Sequence, residues 1–295
     1  MKLVTLTGGL SARLGIEKAV EMIARVGFDG FDYTISSKDQ WGILYSDEWK
    51  AHLKKITQCA KENGIPCLQA HSPFGCVPEW YLLEEYLRMQ IRSIEVAAEI
   101  ECPILVIHPC WETPKENDEM FYGKLLPTAE RLGVVIATEN MFRWKDKTCV
   151  ETVPAACGTV KDFADHIDYI NHPNFTACLD IGHAQMVNCE GAVALIRGLG
   201  KKRIGALHVH DNDLFHDDHT FPFVGRSNWD EITSALADIG YEGDFTFEAN
   251  AFMSRYPNEL LPSCAKLLHD TGRYLIKQIE QKKKEYKRVL GKELL

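Results

Sequence analysis

The sequence predicts an α/β protein folded as a single (β/α)8 TIM barrel over residues 1–295, and three observations carry that expectation. Short runs rich in Val, Ile and Phe alternate with longer stretches of helical periodicity eight times along the chain. Eight such units in 295 residues fit a closed barrel better than an open, doubly wound sheet. The phosphate-binding glycine fingerprint of the open sheet is also missing, because GGLSARLG (8–15) follows the first run without being GxGxxG.

The first four strand candidates are KLVTLTG (2–8), GFDGFDYTI (27–35), IPCLQAHSPF (65–74) and CPILVIHP (102–109). The second four are VVIATEN (134–140), FTACLDIGH (175–183), IGALHVHDN (204–212) and DFTFEAN (244–250). Between them IEKAVEMIARVG, EWKAHLKKITQCAKENG, YLLEEYLRMQIRSIEVAAEI and WDEITSALADIG space their apolar residues as amphipathic helices do. Gly27, Gly64, Gly133 and Gly240 close helical stretches, where a left-handed residue is favoured. No Pro/Ser-rich linker divides the chain, segment 141–158 reads as an irregular loop over the strand ends, and a last helix runs from about Leu260 into a charged tail.

Composition narrows the function classes. The chain is 45% hydrophobic with a net charge of −9, and an acidic surface repels phosphate backbones, so no nucleic-acid partner is expected. The basic runs Lys201–Arg203 and Lys282–Lys284 read as solvated faces. Ten cysteines without a CxxC pair suit reduced thiols, with Cys178 as a core thiol. No apolar run is long enough for a bilayer, and MKLVTLTGG reads as a strand and not a targeting segment. The expectation is a cytoplasmic protein without a membrane partner.

A barrel of this type gathers its chemistry at the C-terminal ends of its strands, and ionisable residues fall there. His71 ends the third run and His108 the fourth; Glu139 ends the fifth; Asp180 and His183 end the sixth; His210 ends the seventh and Glu248 the eighth. His71 before Ser-Pro and His108 before Pro read equally as turn residues. A carboxylate closing an apolar run is partly buried, which is costly unless it is paired or bound to a metal. Several such groups converging repel one another, and a divalent cation is the simplest remedy. In ALHVHDN, His208 and His210 share a face; His210 lies nearer the rim, and His208 reads as a deeper, packed histidine.

Together HSP (71–73), IHP (107–109), TEN (138–140), LDIGH (179–183), HVHDND (208–213) and FE (247–248) resemble the xylose-isomerase-like TIM-barrel superfamily, in the right order over nearly the whole chain. That group includes tagatose-type 3-epimerases, hydroxypyruvate isomerase, inosose dehydratase and endonuclease IV. The epimerase resemblance implies one divalent metal held by Glu139, Asp180, His210 and Glu248, with His183 on the substrate. The epimerases' substrate-binding arginine has no clear counterpart, and Arg226 is a candidate substitute. Endonuclease IV holds three zinc ions, and its further ligands match Asp217, His219, His71, His108 and His183. The pair Asp217 and His219 is therefore either a second metal site or a substrate contact.

The implied ligands suit Mn²⁺, Mg²⁺, Co²⁺ or Zn²⁺. The expected chemistry is a sugar isomerase or epimerase, in which Glu139 and Glu248 serve as base and acid on an enediolate. β-Elimination from a keto-sugar or keto-inositol is the alternative, and a zinc phosphodiesterase with additional Zn²⁺ is a second. Trp41, Trp80, Trp111 and Trp144 fall in loops near the rim, where they can stack on a sugar or pack in a homo-oligomer. Arg143 or Arg226 can hold a phosphate if the substrate carries one.

Overall fold

A computed structural model describes residues 1–35, 42–74, 84–110 and 115–293. The chain begins with β1 (Leu3–Leu6), α1 (Gly8–Leu14), α2 (Ile16–Val26), β2 (Gly30–Thr34), α3 (Trp49–Glu62) and β3 (Cys67–His71). It continues through α4 (Glu84–Glu99), β4 (Ile104–Val106), α5 (Lys115–Leu132) and β5 (Val135–Glu139). A hairpin of β6 (Phe142–Trp144) and β7 (Thr152–Pro154) precedes α6 (Val160–Ile170), β8 (Phe175–Asp180), α7 (Ile181–Gln185) and α8 (Ala192–Arg203). The last elements are β9 (Ile204–His208), α9 (Trp229–Asp238), β10 (Phe245–Phe247), α10 (Ala251–Ser254) and α11 (Leu261–Glu293).

Eight parallel strands form one sheet in the order β10-β1-β2-β3-β4-β5-β8-β9. Its two ends meet just past β9, where Val209 N–H donates to Thr246 O at 2.9 Å and Glu248 N–H donates to Val209 O at 3.1 Å. Closure at the rim leaves no free sheet edge there. Phe31, Phe245 and Phe247 face the helices with Val20, Ile23 and Leu268, while the inward face carries the small side chains of Val106, Ala137, Cys178 and Ala206. Alternation along each strand then points Glu139, Asp180, His208 and Glu248 inward above that layer.

All eight expected runs contain a strand, but each strand is shorter than its run. Asp180 ends β8 because its side chain takes the His183 N–H at 2.6 Å and caps α7, so His183 sits on a helical turn instead of a strand. The expected loop at 141–158 contains the β6–β7 hairpin, with Arg143 opposite Val153. Gly27 does end α2, at φ 106°, a conformation that favours glycine. Among the described residues every cysteine is a free thiol, with Cys178 buried, and no helix is long and apolar enough to cross a membrane.

Two strand ends are tied together from the helical layer. The Tyr122 phenol on α5 donates to Ile107 O at 2.9 Å and pairs with the Thr138 hydroxyl at 2.8 Å, next to His108 and Glu139 respectively. Tyr122→Phe is expected to destabilise the protein by about 1–3 kcal/mol, because it leaves buried polar groups unpaired. Urea denaturation checks this; an unchanged midpoint and slope contradict it.

Candidate metal centre

The register of the strands decides which side chains meet. A shift between Ala177 and Cys178 pairs Asp180 with His208, so these two lie side by side at the top of the barrel. Glu139 reaches them from β5: its Oε1 is 3.1 Å from His208 Nδ1. Glu248 follows β10 and brings Oε2 to 3.3 Å from the same nitrogen. Glu139, Asp180, His208 and Glu248 therefore each offer one ligand atom within 4.8 Å of the others.

This differs from the sequence expectation at one position. His210, not His208, was expected in the set, because both residues share an inward face and parity does not assign depth. Strand β9 ends at His208, and the chain turns after the closing bridge at Val209. His210 is carried over α7, where Gly182 makes room for it; a Cβ there would lie 1.9 Å from His210 Cε1. Its ring stacks on His219 at 4.0 Å between centroids, and its Nε2 lies 3.1 Å from Asp180 Oδ1.

A second group assembles above the first. His183, His210, Asp217 and His219 offer ligand atoms within 4.8 Å of one another. Asp217 Oδ2 is 3.0 Å from His219 Nε2 and 3.4 Å from His183 Nε2. The loop that delivers Asp217 and His219 folds around Asp211, whose buried carboxylate accepts from the backbone N–H groups of Asn212, Phe223 and Ser227 and from Trp229 Nε1. His71, Glu139 and His208 form a third group, with His108 Nε2 at 3.2 Å from Glu139 Oε2. The first and third groups thus share Glu139 and His208.

Asn140, which the sequence reading passed over, locks the carboxylate end of β8: its Oδ1 accepts Asp180 N–H at 2.7 Å and its Nδ2 donates to Asp180 O at 2.9 Å. Electrostatics follow from the crowding. Burial alone would raise the Glu139 carboxyl, but His208 and His108 beside it hold it well below the usual carboxylate range. Asp180 is lowered in the same way, with His183 and His210 outweighing its burial. Burial opposes charge on His208, yet the acids around it, Glu248 and Glu139 among them, raise it well above the ordinary histidine value. His219 is pushed up to about 10, its burial outweighed by Glu248 and Asp217.

Buried oxygens without a hydrogen-bond partner test whether the residues fit a metal. Glu139 Oε2, Asp180 Oδ2 and Asp217 Oδ1 are such atoms. Among the described residues only histidine nitrogens, at 3.2 to 3.9 Å, stand near them, and a cation among these oxygens would satisfy what the protein leaves open. Three carboxylates and one imidazole suit Mn²⁺, Mg²⁺, Co²⁺ or Zn²⁺ at the four-donor set.

Glu139 and Glu248 open onto a cavity of roughly 440 Å³. His71, His108, His183, Asp217 and His219 line it on the same side, and Phe74, Met141, Phe142 and Trp144 form an apolar wall. The cationic side chain in its lining is Arg143, on the hairpin. Arg226 does not line it; the residue's side chain is exposed and its backbone N–H donates to Asn212 O at 2.8 Å. Of the four tryptophans expected at the rim, Trp144 is there, and Trp41, Trp80 and Trp111 lie outside the described residues.

Residues 20–262 match the family model described as xylose isomerase-like TIM barrel. An uncharacterised protein of Mycobacterium tuberculosis is 23% identical over 279 residues, covering 90% of this chain and 94% of its own length. A D-psicose 3-epimerase of Ruminiclostridium cellulolyticum is 24% identical over 249 residues, covering 78% of this chain and 76% of its own. The crystal structure of a D-psicose 3-epimerase with D-tagatose, from Clostridium cellulolyticum H10, superposes with a TM-score of 0.70 at 18% identity over 93% of this chain and 99% of that one. At that identity the likeness is one of fold.

The acids around His208 favour the protonated form of its ring against the effect of burial. A cation taking Nδ1 must displace that proton, so affinity should rise with pH. Calorimetric titration of the metal-free protein with Mn²⁺ in buffers of differing ionisation enthalpy should report about one proton released per ion. Binding with no proton release contradicts this arrangement.

Proposed function

The chain belongs to the xylose isomerase-like TIM barrel family, and from that premise we propose that it is a divalent-metal-dependent sugar epimerase or isomerase. The observation that carries this reading is the meeting of Glu139, Asp180, His208 and Glu248 beside a cavity large enough for a monosaccharide, which Glu139 and Glu248 line. The 3-epimerase names among its relatives support the same substrate class.

A divalent ion in this set would polarise a substrate carbonyl and acidify the neighbouring C–H. Glu139 and Glu248 flank His208 and both face the cavity. One takes the proton from the carbon beside the carbonyl, and the other delivers a proton to the opposite face. Return to the same carbon inverts it; return to the neighbouring carbon interconverts aldose and ketose. The lowered Glu139 carboxyl is ionised at neutral pH, as a base must be. His183 and His219 border the cavity and can bond the substrate's hydroxyls, while Phe142 and Trp144 offer rings to its C–H face.

One observation favours a second reading. Besides the four-donor set, His71 and His108 stand at Glu139, and His183 and His219 stand at Asp217. These nine residues are the ligand types of a three-zinc phosphodiesterase of the endonuclease IV kind. The acidic net charge of −9 weighs against a nucleic-acid substrate.

Two measurements test the proposal. Metal analysis of the purified protein should give one divalent ion per chain for the epimerase reading, and three zinc ions for the second. With Mn²⁺ supplied, a panel of ketoses in D₂O should show deuterium entering the carbon next to the carbonyl. Glu139→Gln and Glu248→Gln should each slow that exchange by about 100-fold or more. Unchanged exchange in a Glu139→Gln protein that still holds its ion contradicts the role of this residue.

A further inference from the structure

Beneath the four-donor set lies a charged residue with no part in the chemistry above. Asp32, on β2, is buried and points into the barrel. Its Oδ2 accepts from Gln69 Nε2 on β3 at 2.9 Å, and Gln69 Oε1 accepts from the Thr246 hydroxyl on β10 at 3.3 Å. Three strands therefore fix this carboxylate. Its Oδ1 has no hydrogen-bond partner, and among the described residues it makes no ion pair with a lysine or arginine. The charged group facing it is His208, whose Nε2 lies 3.8 Å from Oδ2. A carboxylate buried so sparely is costly to the fold.

His208 is also turned differently from its neighbours. His71, His183 and His219 each set Nδ1 against a backbone carbonyl, that of Ser72 at 2.6 Å, Asn140 at 3.0 Å and Glu248 at 3.0 Å, and leave Nε2 toward the site. In His208 the order is reversed. Nδ1 faces Glu139 and Glu248, and Nε2 faces a carboxylate instead of a carbonyl.

We propose that Asp32 is the positioning residue of the centre, the outer member of an Asp32–His208–metal triad. Its carboxylate accepts from His208 Nε2–H, which fixes the tautomer with the Nδ1 lone pair directed at the other three donors. A carboxylate partner also makes the imidazole a stronger donor than a carbonyl partner does. A cation drawing electron density from the ring would make Nε2–H a better donor toward Asp32, 3.8 Å away. Gln69 and Thr246 are the outer props that keep Asp32 aimed. The inference rests on the four-donor set being a metal site.

The test is Mn²⁺ binding to the full chain, followed by the electron paramagnetic resonance of the free ion, together with the melting temperature of the metal-free protein. Asp32→Asn keeps the shape and removes the charge. It should weaken Mn²⁺ binding about 10- to 100-fold while the metal-free melting temperature holds or rises, since a buried charge has gone. Affinity within about threefold of the parent overturns the proposal. A loss of affinity that only tracks an equal loss of metal-free stability assigns Asp32 a structural role and also overturns it. Should Asp32→Asn not fold, Gln69→Met removes the prop and keeps the carboxylate, and unchanged affinity there is equally fatal. A parent protein that binds no Mn²⁺ refutes the metal reading itself, a result separate from binding that persists in Asp32→Asn.

Discussion

Four carboxylates, Glu139, Asp180, Asp217 and Glu248, meet six histidines at one end of the barrel, and among the described residues none of the four pairs with a lysine or arginine. Like charges brought this close out of water repel strongly unless protons or a cation stand between them. The surrounding structure is arranged to keep them there. Asn140 clamps Asp180 from both sides of its peptide, the cap of α7 engages one Asp180 oxygen, and Asp211 gathers four N–H groups to fold the loop bearing Asp217 and His219. A centre of this kind would hold a cation with its donors already assembled by the fold.

The barrel contributes through closure. Strands β9 and β10 join only at the rim, through Val209, and that join separates two histidines of one HxH run. His208 is held below it, level with Asp180, and His210 is carried above it onto His219. One short segment thereby serves two donor groups at different heights. The lower group opens to the cavity through Glu139 and Glu248 only, since Asp180 and His208 do not line it. In the proposed function, the two carboxylates that line the cavity are the ones that exchange protons, and Asp180 and His208 only hold the ion.

Much of this was legible in the sequence, because strand alternation and the rule placing chemistry at strand C-termini are local. Eight apolar runs, each carrying His, Asp or Glu near its end from the third onward, were enough for the barrel and for the positions of Glu139, Asp180, His183 and Glu248 at its rim. That His208 lies level with Asp180 was not legible, because it depends on a register shift between β8 and β9. Asp32 was hidden for a related reason. In GFDGFDYTI two aspartates look alike, yet Asp29 pairs with Arg273 outside the barrel and Asp32 faces His208 inside it. The hairpin at Phe142–Trp144 is too short for periodicity to register, and nothing local in the sequence says that Arg143 lines the cavity and Arg226 does not.

The central claim is the location of the ion, and anomalous diffraction from a crystal grown with Mn²⁺ tests it most directly. The account predicts a peak enclosed by Glu139, Asp180, His208 and Glu248, with His208 contributing Nδ1. A peak held by His210 in place of His208, or no peak among these four residues, would contradict it.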